Sequence, residues 1–391
     1  MSRPMKHSGV EWLGDIPDGW KITQLKRFAS VNNGREIQIE IYKSADAIPV
    51  YGSGGIFKYT TDCLHHGEAV MFGRKGTLGK PIYVNEKFWT VDTMYYLTFS
   101  DKLFAKFNYY QLVAFDWEPH ITQTALPSIV ASEIVSCKFA FPPLDEQQRI
   151  ATFLDDKCAN IDSVIEKTRA SVEEYKKLKQ AVITRAVTKG IRPNRMLKHS
   201  GIEWIGDIPD GWGMCRLRFL CDILTGNQDT QDNDPNGEYP FYVRSPIVER
   251  SNKYTFEGDA ILMAGDGVGA GKVFHYVSGK YGCHQRVYSL QNINGIERKF
   301  LYYYLQNRFY VSIETANSKS TVDSVRLIML KNFPIPIPPL DEQKEIAAYL
   351  DEKTSAIDSL VTKKNQLVSE LESLKKSMIF EYVTGKKEVN Q

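Results

Sequence analysis

Two glycine-rich stretches, residues 73–80 and 265–272, carry the side chains that come nearest to a catalytic motif. Each begins with glycine and ends with lysine, as the phosphate-binding loop of nucleotide hydrolases does. Both have one residue too many between their outer glycines, and Pro81 or Val273 follows where a hydroxyl side chain would bind magnesium. Neither loop is therefore predicted to bind ATP.

Two other interpretations of these loops remain open, and they are compatible with each other. A glycine-rich segment between two strand-like runs is typical of a tight hairpin connection. A loop with few bulky side chains also lets backbone N–H groups approach the phosphates of a nucleic acid. Arg74, Lys75, Lys80 and Lys272 would add positive charge at such a contact.

No complete catalytic motif appears elsewhere in the sequence. The paired prolines at 142–143 and 338–339 are followed by leucine, not by the aromatic residue of an amino-methyltransferase motif. Neither a Gly-x-Ser-x-Gly nucleophile turn nor a His-Glu-x-x-His zinc helix is present. Acidic residues followed by lysine at 155–157 and 351–353 fit the end of a nuclease site. They lie in a helical pattern, however, and are predicted to form a solvated helix face. We therefore predict a binding protein that is not an enzyme.

A repeated proline motif introduces two long helices. Pro-Pro-Leu-Asp-Glu-Gln occurs at 142–147 and 338–343, and each copy leads into a helical pattern that ends at Gly190 or Gly385. Prolines suit the first turn of a helix, and the helix dipole stabilises acidic residues there. Mainly apolar residues then recur at steps of three and four, which indicates one narrow stripe on each helix. The stripe positions are Ile161, Ile165, Thr168, Val172, Tyr175, Leu178, Val182 and Ala186 in the first helix, and Ile357, Val361, Lys364, Leu367, Leu371, Leu374, Met378 and Tyr382 in the second. Because neither helix can bury its stripe alone, we predict that the two pack on each other.

The chain consists of two tandem halves. Residues 7–20 recur as residues 199–212 with two differences, and the proline motif recurs 196 residues after its first copy. Between these copied parts, each half has a divergent region of short strand-like runs with an aromatic helix. The predicted domains are a first strand-rich region at 1–141, a first long helix at 142–190, a second strand-rich region at 191–337 and a second long helix at 338–391. The predicted fold class is α+β.

Composition fits a globular protein with real cores. The chain has 391 residues, of which 42% are hydrophobic and 12% aromatic, so disorder is not expected. Six cysteines include no C-x-x-C pair and no metal-ligand spacing with histidine. Residues 1–7 lack the apolar core of a signal peptide, and no run is long enough to span a membrane. We expect reduced thiols in a cytoplasmic protein.

The duplicated layout resembles the specificity subunit of type I restriction-modification enzymes. The resemblance rests on the two proline-led helices, on the repeated Trp-x-Gly-x-Ile-Pro-x-x-Trp blocks at 12–20 and 204–212, and on the two divergent regions. It covers essentially the whole chain. It implies two strand-rich target-recognition domains separated by an antiparallel coiled coil, each reading one half of a bipartite, asymmetric DNA target.

The resemblance also implies partners for a non-catalytic chain. These are double-stranded DNA, two modification subunits that methylate adenine with S-adenosylmethionine, and restriction subunits that translocate and cut DNA with ATP and magnesium. The chain itself is expected to bind none of these cofactors, and no membrane.

A coiled coil of this length would set the spacing between the two half-sites. About thirty residues at ~1.5 Å each give ~45 Å, or ~13 base pairs between half-site centres. Half-sites of about four base pairs would then leave roughly five to nine unread base pairs. Antiparallel helices would also bring residues 382–385 near the first tryptophan block.

Candidate DNA-reading residues are polar side chains in the parts that differ between the two halves. Arg and Lys pair with guanine or phosphate, and Asn and Gln pair with adenine. In the first region they are Asn33, Arg35, Lys58, Tyr59, Arg74, Lys75, Thr77, Lys80, Gln123 and Thr124. In the second they are Asn227, Gln228, Arg244, Asp266, Lys272, His284, Gln285, Arg286, Lys319 and Ser320. For any one of these residues a solvated surface role is the alternative, and His284 could instead satisfy a buried hydrogen bond.

One other function fits the same layout. A non-catalytic coiled-coil adaptor could carry two heads that bind a ligand other than DNA. Retention on DNA with a steep salt dependence would separate the two possibilities.

Overall fold

The computed structural model describes residues 3–316 and 324–389. Contacts divide the chain into two units, one of Met1–Arg169 with Asn365–Gln391 and one of Ala170–Lys364. The divisions fall inside the two long helices, so each unit contains part of both.

The first unit is rich in strands. These are β1 (Met5–His7), β2 (Asp15–Pro17), β3 (Lys21–Gln24), β4 (Ala29–Asn33), β5 (Ile48–Gly52), β6 (Gly55–Thr60), β7 (His65–Gly73), β8 (Ile82–Thr90), β9 (Met94–Phe99) and β10 (Lys138–Phe141). Its helices are α1 (Ala105–Ala114), α2 (Ala131–Ser136) and the first part of α3 (Leu144–Lys189), with 3-10 turns at Leu25–Arg27 and Glu118–His120.

Six strands form the main sheet of the first unit, in the order β4-β9-β7-β8-β5-β6. β7 is central and pairs antiparallel with both β8 and β9, whereas β5 and β8 are parallel. The last five residues of β7 are buried, as expected for an apolar run in the middle of a covered sheet. Two-stranded ribbons join β1 to β2 and β3 to β10.

The second unit is also built mainly of short strands with a few helices. Its strands are β11 (Leu197–His199), β12 (Asp207–Pro209), β13 (Gly213–Arg216), β14 (Asp222–Thr225), β15 (Tyr239–Tyr242), β16 (Glu249–Ser251), β17 (Phe256–Glu257), β18 (Ala260–Ala264), β19 (Phe274–Val277), β20 (Lys280–Cys283), β21 (Val287–Gln291) and β22 (Pro334–Ile337). Its helices are α4 (Arg298–Ala316), α5 (Leu327–Lys331) and the first part of α6 (Leu340–Val383), with 3-10 turns at Leu217–Phe219 and Thr230–Asp232.

Two four-stranded sheets form the strand-rich part of the second unit. Their orders are β14-β21-β18-β19 and β16-β15-β20-β17. The central strand β18 is buried along its whole length because its sequence, Ala-Ile-Leu-Met-Ala, is apolar at every position. Ribbons again join β11 to β12 and β13 to β22.

In the first unit the start of α3 packs antiparallel on the end of α6. The rings of Phe153 and Tyr382 lie 4.6 Å apart, and Asp162 forms an ion pair with Lys375 at 2.6 Å. Residue numbers rise along one helix as they fall along the other, which defines the antiparallel direction. As expected, the C-terminal end also reaches the first block, where Lys386 Nζ donates to the carbonyl of Leu13 at 2.6 Å.

In the second unit the end of α3 packs antiparallel on the start of α6. Lys179 pairs with Asp358 at 2.6 Å, and this pair is the counterpart, 196 residues on, of the ion pair in the first unit. The ammonium of Lys364 lies 5.6 Å from the ring centre of Tyr175. A lysine therefore occupies an inward position by packing its stem and charge against an aromatic ring.

The glutamate of the proline motif explains why that motif and the tryptophan block are copied together. Trp20 Nε1 donates to Glu146 Oε2 at 3.1 Å, and Arg3 pairs with Oε1 at 2.6 Å. In the second unit, Trp212 Nε1 donates to Glu342 Oε2 at 3.1 Å, and an arginine again pairs with the other oxygen. Each strand-rich region is therefore fixed to the first turn of its own long helix.

The glutamine of the motif fixes a second element. The N–H of Phe104, just before α1, donates to Gln147 Oε1 at 2.9 Å, and that of Glu297, just before α4, donates to Gln343 Oε1 at 2.6 Å. The Nε2 of each glutamine donates to the first proline carbonyl of its motif, at 3.0 and 2.7 Å. The glutamine thus caps a helix that follows the sheet and also orders the turn that begins the long helix.

The acidic residues of α3 and α6 are not a purely solvated face, so that prediction is corrected. Tyr110 donates its hydroxyl hydrogen to Asp155 at 2.8 Å, and Tyr303 does the same to Asp351 at 2.8 Å. A lysine of α1 or α4 pairs with each carboxylate as well. The pattern along one helix could not reveal these partners, which lie about fifty residues away in sequence. The carboxylates connect α1 to α3 and α4 to α6.

The stripe differs from the prediction at one position of α3, where Leu178 is 49% exposed, and at two positions of α6. Leu367 and Leu374 are 43% and 56% exposed, whereas the adjacent Val368 is 8% exposed. From Lys364, successive steps of four, three and four residues reach positions 368, 371 and 375. Positions 368 and 375 each lie one residue beyond an exposed leucine. The sequence pattern favoured the bulkier apolar residues, but helix geometry selects the inward positions.

The corrected stripe gives a direct stability test. Val368→Asp is expected to lower the free energy of unfolding by about 2–4 kcal/mol, because it buries an unpaired carboxylate. Leu367→Asp, one residue away, is expected to change it by less than about 1 kcal/mol. Urea denaturation of the two full-length variants measures both values. The reverse order of the two effects would contradict this assignment of the inward positions.

The prediction of an α+β fold with an internal repeat, two strand-rich regions and two long helices is confirmed. Both long helices lie inside their predicted ranges, while the remaining domain boundaries stay predictions. Over residues 3–316 and 324–389, every helix is too short or too polar to cross a membrane.

Candidate nucleic-acid interface

The first glycine loop, residues 74–81 between β7 and β8, rests on a backbone frame of three bonds. The N–H of Arg74 donates to the carbonyl of Thr93 at 2.8 Å, and the N–H of Ile129 donates to the carbonyl of Arg74 at 3.0 Å. The N–H of Met94 closes the turn before β9 by donating to Val91 at 2.9 Å. These bonds bring the loop, the β8–β9 turn and the segment before Ile129 together.

The second glycine loop, residues 265–273 between β18 and β19, rests on the same three bonds. The N–H of Gly265 donates to the carbonyl of Arg286 at 2.9 Å, and the N–H of Val325 donates to the carbonyl of Gly265 at 2.7 Å. The N–H of Val287 closes the turn by donating to His284 at 2.9 Å. The two units therefore hold corresponding loops on a rigid scaffold of the same design.

The side chains on these matching frames differ in kind. Lys75 stands where the second frame has Asp266, and Thr93 stands where the second frame has Arg286. One frame thus presents a different set of charges and hydrogen-bond donors from the other. Both loops join antiparallel strands, which confirms the hairpin interpretation, while contact with phosphate remains a prediction.

The first frame gathers several of the predicted residues. Arg74, Lys75, Thr77 and Lys80 lie on the loop, and the N–H of Thr77 donates to Ser53 Oγ at 3.1 Å. Over the described parts of the chain, no ion pair engages Arg74, Lys75 or Lys80. Their charges are therefore available to an anionic ligand.

Two further pairs of predicted residues adjoin this frame. Gln123 and Thr124 lie in the exposed segment between Ile121 and Ile129, whose ends are bridged beside the loop. Asn33 ends β4, and the N–H of Arg35 donates to Thr90 at 2.8 Å, just before the β8–β9 turn. Together these side chains form the candidate interface of the first unit.

Lys58 and Tyr59 lie apart from this set, on the edge strand β6. Lys58 pairs with Glu40 at 2.6 Å, and Lys43 lies 5.8 Å from the ring centre of Tyr59. Among the described residues, no hydrogen bond, ion pair or aromatic ring contact links either residue to the first glycine loop.

In the second unit three predicted residues meet directly. Asp266 accepts hydrogen bonds from Arg244 Nη1 at 3.2 Å and from Arg286 Nη1 at 2.5 Å. They come from three separate loops, and Asp266 joins them. Lys272 ends the same glycine loop, with its ammonium 4.2 Å from the ring centre of Tyr310.

Two residues of this unit that are predicted to read DNA, His284 and Gln228, are buried and hydrogen-bonded within the unit. His284 Nδ1 accepts from the N–H of Arg286 at 3.0 Å, which matches the alternative given for it above. Gln228 is also buried and donates to the carbonyl of Lys253 at 2.9 Å. Lys319 and Ser320 lie outside the described residues. The side-chain oxygen of Asn227 accepts a hydrogen bond from the hydroxyl of Thr255 at 3.0 Å.

Asp229 is a residue that the sequence analysis missed. Its carboxylate accepts from Gln285 Nε2 at 3.0 Å and caps the 3-10 turn at Thr230–Asp232. The hydrogen bond from the backbone of Thr230 and the neighbouring His284 hold the pKa of Asp229 below its usual range. The sequence signal was present, because Asp229 and Asp232 have the spacing of a capping box.

Comparison with known proteins identifies the fold and the family. The family model described as the type I restriction modification DNA specificity domain matches residues 17–174 and 209–369. The type I restriction enzyme MjaVIII specificity subunit of Methanocaldococcus jannaschii is 26% identical over 342 residues, which are 81% of this chain and 76% of that protein.

Solved structures give the same answer for the fold. A chain from a structural study of complex assembly and conformational transition of the type I R-M system has a TM-score of 0.70 at 16% identity, covering 95% of this chain and 99% of that one. The HsdS subunit from Thermoanaerobacter tengcongensis has a TM-score of 0.50 at 17% identity, covering 97% and 100%.

These findings favour the DNA-recognition interpretation over the adaptor with a non-DNA ligand. The family model matches both halves of the chain and spans most of its length. The chain belongs to the family of type I restriction-modification DNA specificity subunits, whose members are not the catalytic chains of their complexes.

Proposed function

We propose that this chain selects the DNA sequence for a type I restriction-modification complex, with each strand-rich region reading one half of a bipartite target. The observation that carries the proposal is the pair of matching backbone frames with different side chains. A shared frame supports the same mode of docking, while different donors and charges select different bases. The two half-sites are therefore different, and the target is asymmetric.

The anchoring of each region to its own long helix supports a fixed spacing. Glu146 and Glu342 fix the first turns of the helices to the tryptophan blocks, and the antiparallel stripes hold the helices to each other. Two heads on one chain also gain affinity, because the second half-site binds intramolecularly. The helix pair then determines how many unread base pairs separate the half-sites.

The helix pair also offers a surface for the partner subunits. Leu367 and Leu374 in the first unit, and Leu178 and Leu360 in the second, are large apolar side chains that remain exposed. Such residues suit contact with protein partners. We assign this surface to two modification subunits that carry S-adenosylmethionine, and we assign ATP and magnesium to restriction subunits that join them in the cytoplasm.

Selection from a random duplex pool tests the proposal. The full-length chain, prepared with its methyltransferase subunit, is expected to enrich two defined segments of unlike sequence separated by a constant unread spacer. Binding should weaken steeply with salt, because lysine and arginine displace counterions from the phosphates. Enrichment of a single contiguous segment, or of none, would contradict the proposal.

A further inference from the structure

We propose that Asp266 is a positioning residue that aims the guanidinium group of Arg286 at a guanine in the half-site read by the second unit. The inference rests on the proposed function and deepens it, since it names a base and the side chains that select it.

The geometry assigns one carboxylate oxygen to each arginine. Oδ1 of Asp266 accepts from Arg244 at 3.2 Å and Oδ2 accepts from Arg286 at 2.5 Å. The side chain of Asp266 is 16% exposed, whereas that of Arg286 is 60% exposed. Because its side chain is mostly buried, Asp266 itself presents little surface to a DNA donor. Each guanidinium uses one nitrogen on the carboxylate and keeps its remaining N–H groups for another acceptor.

The backbone under this group is held on several sides. The N–H of Arg286 donates to the buried His284 at 3.0 Å, and its carbonyl accepts from Gly265 at 2.9 Å. The hydroxyl of Tyr288 donates to the carbonyl of Val325 at 2.9 Å, and Val325 bonds back to Gly265. An arginine fixed at both its backbone and its guanidinium loses little conformational freedom when it binds, which favours precise recognition.

The charge of the group favours a base over a phosphate. Burial raises the pKa of Asp266, but hydrogen bonds from Arg286 and Arg244 outweigh burial and hold that pKa below its usual range. The carboxylate is therefore ionised at neutral pH and cancels one of the two positive charges. An acid at this position weakens attraction for phosphate. The first frame has Lys75 there instead, which suits a phosphate contact.

Guanine is the base that fits two free N–H groups on one arginine. Its O6 and N7 atoms are adjacent acceptors in the major groove, and a bidentate arginine is their commonest partner. Arg286 also opens onto a cleft of about 280 Å³ that Thr225, Gln285 and Tyr288 line with it. A base edge can therefore approach the guanidinium from the solvent side.

Two variants test the inference in the full-length chain prepared with its methyltransferase subunit. The wild type is expected to enrich a guanine in one half-site of a random duplex pool. Asp266→Asn should reduce the preference for that guanine about tenfold and leave the other half-site unchanged. Its affinity for random duplex at low salt should stay the same or rise, because a negative charge is removed. Arg286→Lys keeps the charge but loses the planar fork, so it should reduce the same preference. Asp210→Asn, an exposed acid in the tryptophan block, is the matched charge control and should change neither half-site.

The outcomes separate this inference from the function on which it rests. If the wild type enriches a bipartite target whose guanine preference survives in both variants, the role of Asp266 is refuted and the proposed function stands. A wild-type target without guanine in either half-site refutes the inference equally. If the wild type enriches no bipartite target, the proposed function itself fails. Arg286 is mostly exposed, so Arg286→Lys keeps the test valid even if Asp266→Asn unfolds.

Discussion

Removal of one heptad from each long helix, residues 168–174 and 364–370, is expected to shorten the unread spacer of the selected DNA by about three base pairs. Seven residues at ~1.5 Å each shorten the helices by ~10 Å, and a base pair occupies ~3.4 Å. In the first unit Arg169 pairs with Glu372. In the second unit Lys364 packs on Tyr175. The deletions therefore remove Arg169 and Lys364, one partner of each of these contacts between α3 and α6. Affinity for the original spacing should fall about 100-fold or more, because both half-sites can no longer be engaged at once.

A control deletion separates spacing from folding. Loss of five residues from each helix, 168–172 and 364–368, rotates the remaining stripes by about 140° and turns them away from each other. This variant is expected to lose stability, whereas the heptad deletion keeps Tyr175 and Leu371 on the inward face. Selection from random duplexes measures the spacer, and thermal denaturation measures the fold. A stably folded heptad deletion that selects the wild-type spacer would exclude the helices as the ruler.

Glu342→Ala is expected to lower the free energy of unfolding of the second unit by about 3–5 kcal/mol. The side chain of Glu342 is 0% exposed and accepts from both Trp212 and Arg195. Its removal leaves a partly buried guanidinium and a buried indole N–H without their partner, and loss of one member of a buried pair has a cost of this size. Glu342→Gln retains an acceptor for Trp212 and should lose less than half as much.

The matched control for this prediction lies three residues further along the same helix. Glu345 pairs with Arg192 at the surface, where an exposed pair contributes about 0–1 kcal/mol. Glu345→Ala should therefore leave stability nearly unchanged. Urea denaturation followed by tryptophan fluorescence measures all three variants, with Trp212 as a local reporter. Equal losses for Glu342→Ala and Glu345→Ala would contradict the anchoring role of Glu342.

Much of the fold was predictable because its signals are local. The steps of three and four along α3 and α6, the prolines before them and Gly190 or Gly385 after them lie within single segments. The strands at 69–72 and 260–263 were visible as apolar runs. The errors at Leu178, Leu367 and Leu374 arose where side-chain bulk and helix geometry disagree, and sequence alone cannot rank the two.

The candidate site was predictable only in part because its contacts are long-range. Arg244, Asp266 and Arg286 were each identified as polar residues of a divergent region, but three separate loops must fold before one carboxylate meets both guanidinium groups. His284 and Gln228 carry the same polar signal as their neighbours, and only the folded frame shows that they are buried. Residue type identified the set of side chains, and tertiary structure assigned their roles.

The division of the chain has a consequence for the order in which it folds during synthesis. The second unit is one continuous stretch, whereas the first combines residues 1–169 with residues 365–391. Ile379 and Val383 belong to the same apolar core as Leu13 and Trp20. When the whole first region has emerged from the ribosome, the residues that complete this core are still to be translated. The half that is translated first is thus finished last, and until then its apolar surface is open to chaperones and to aggregation.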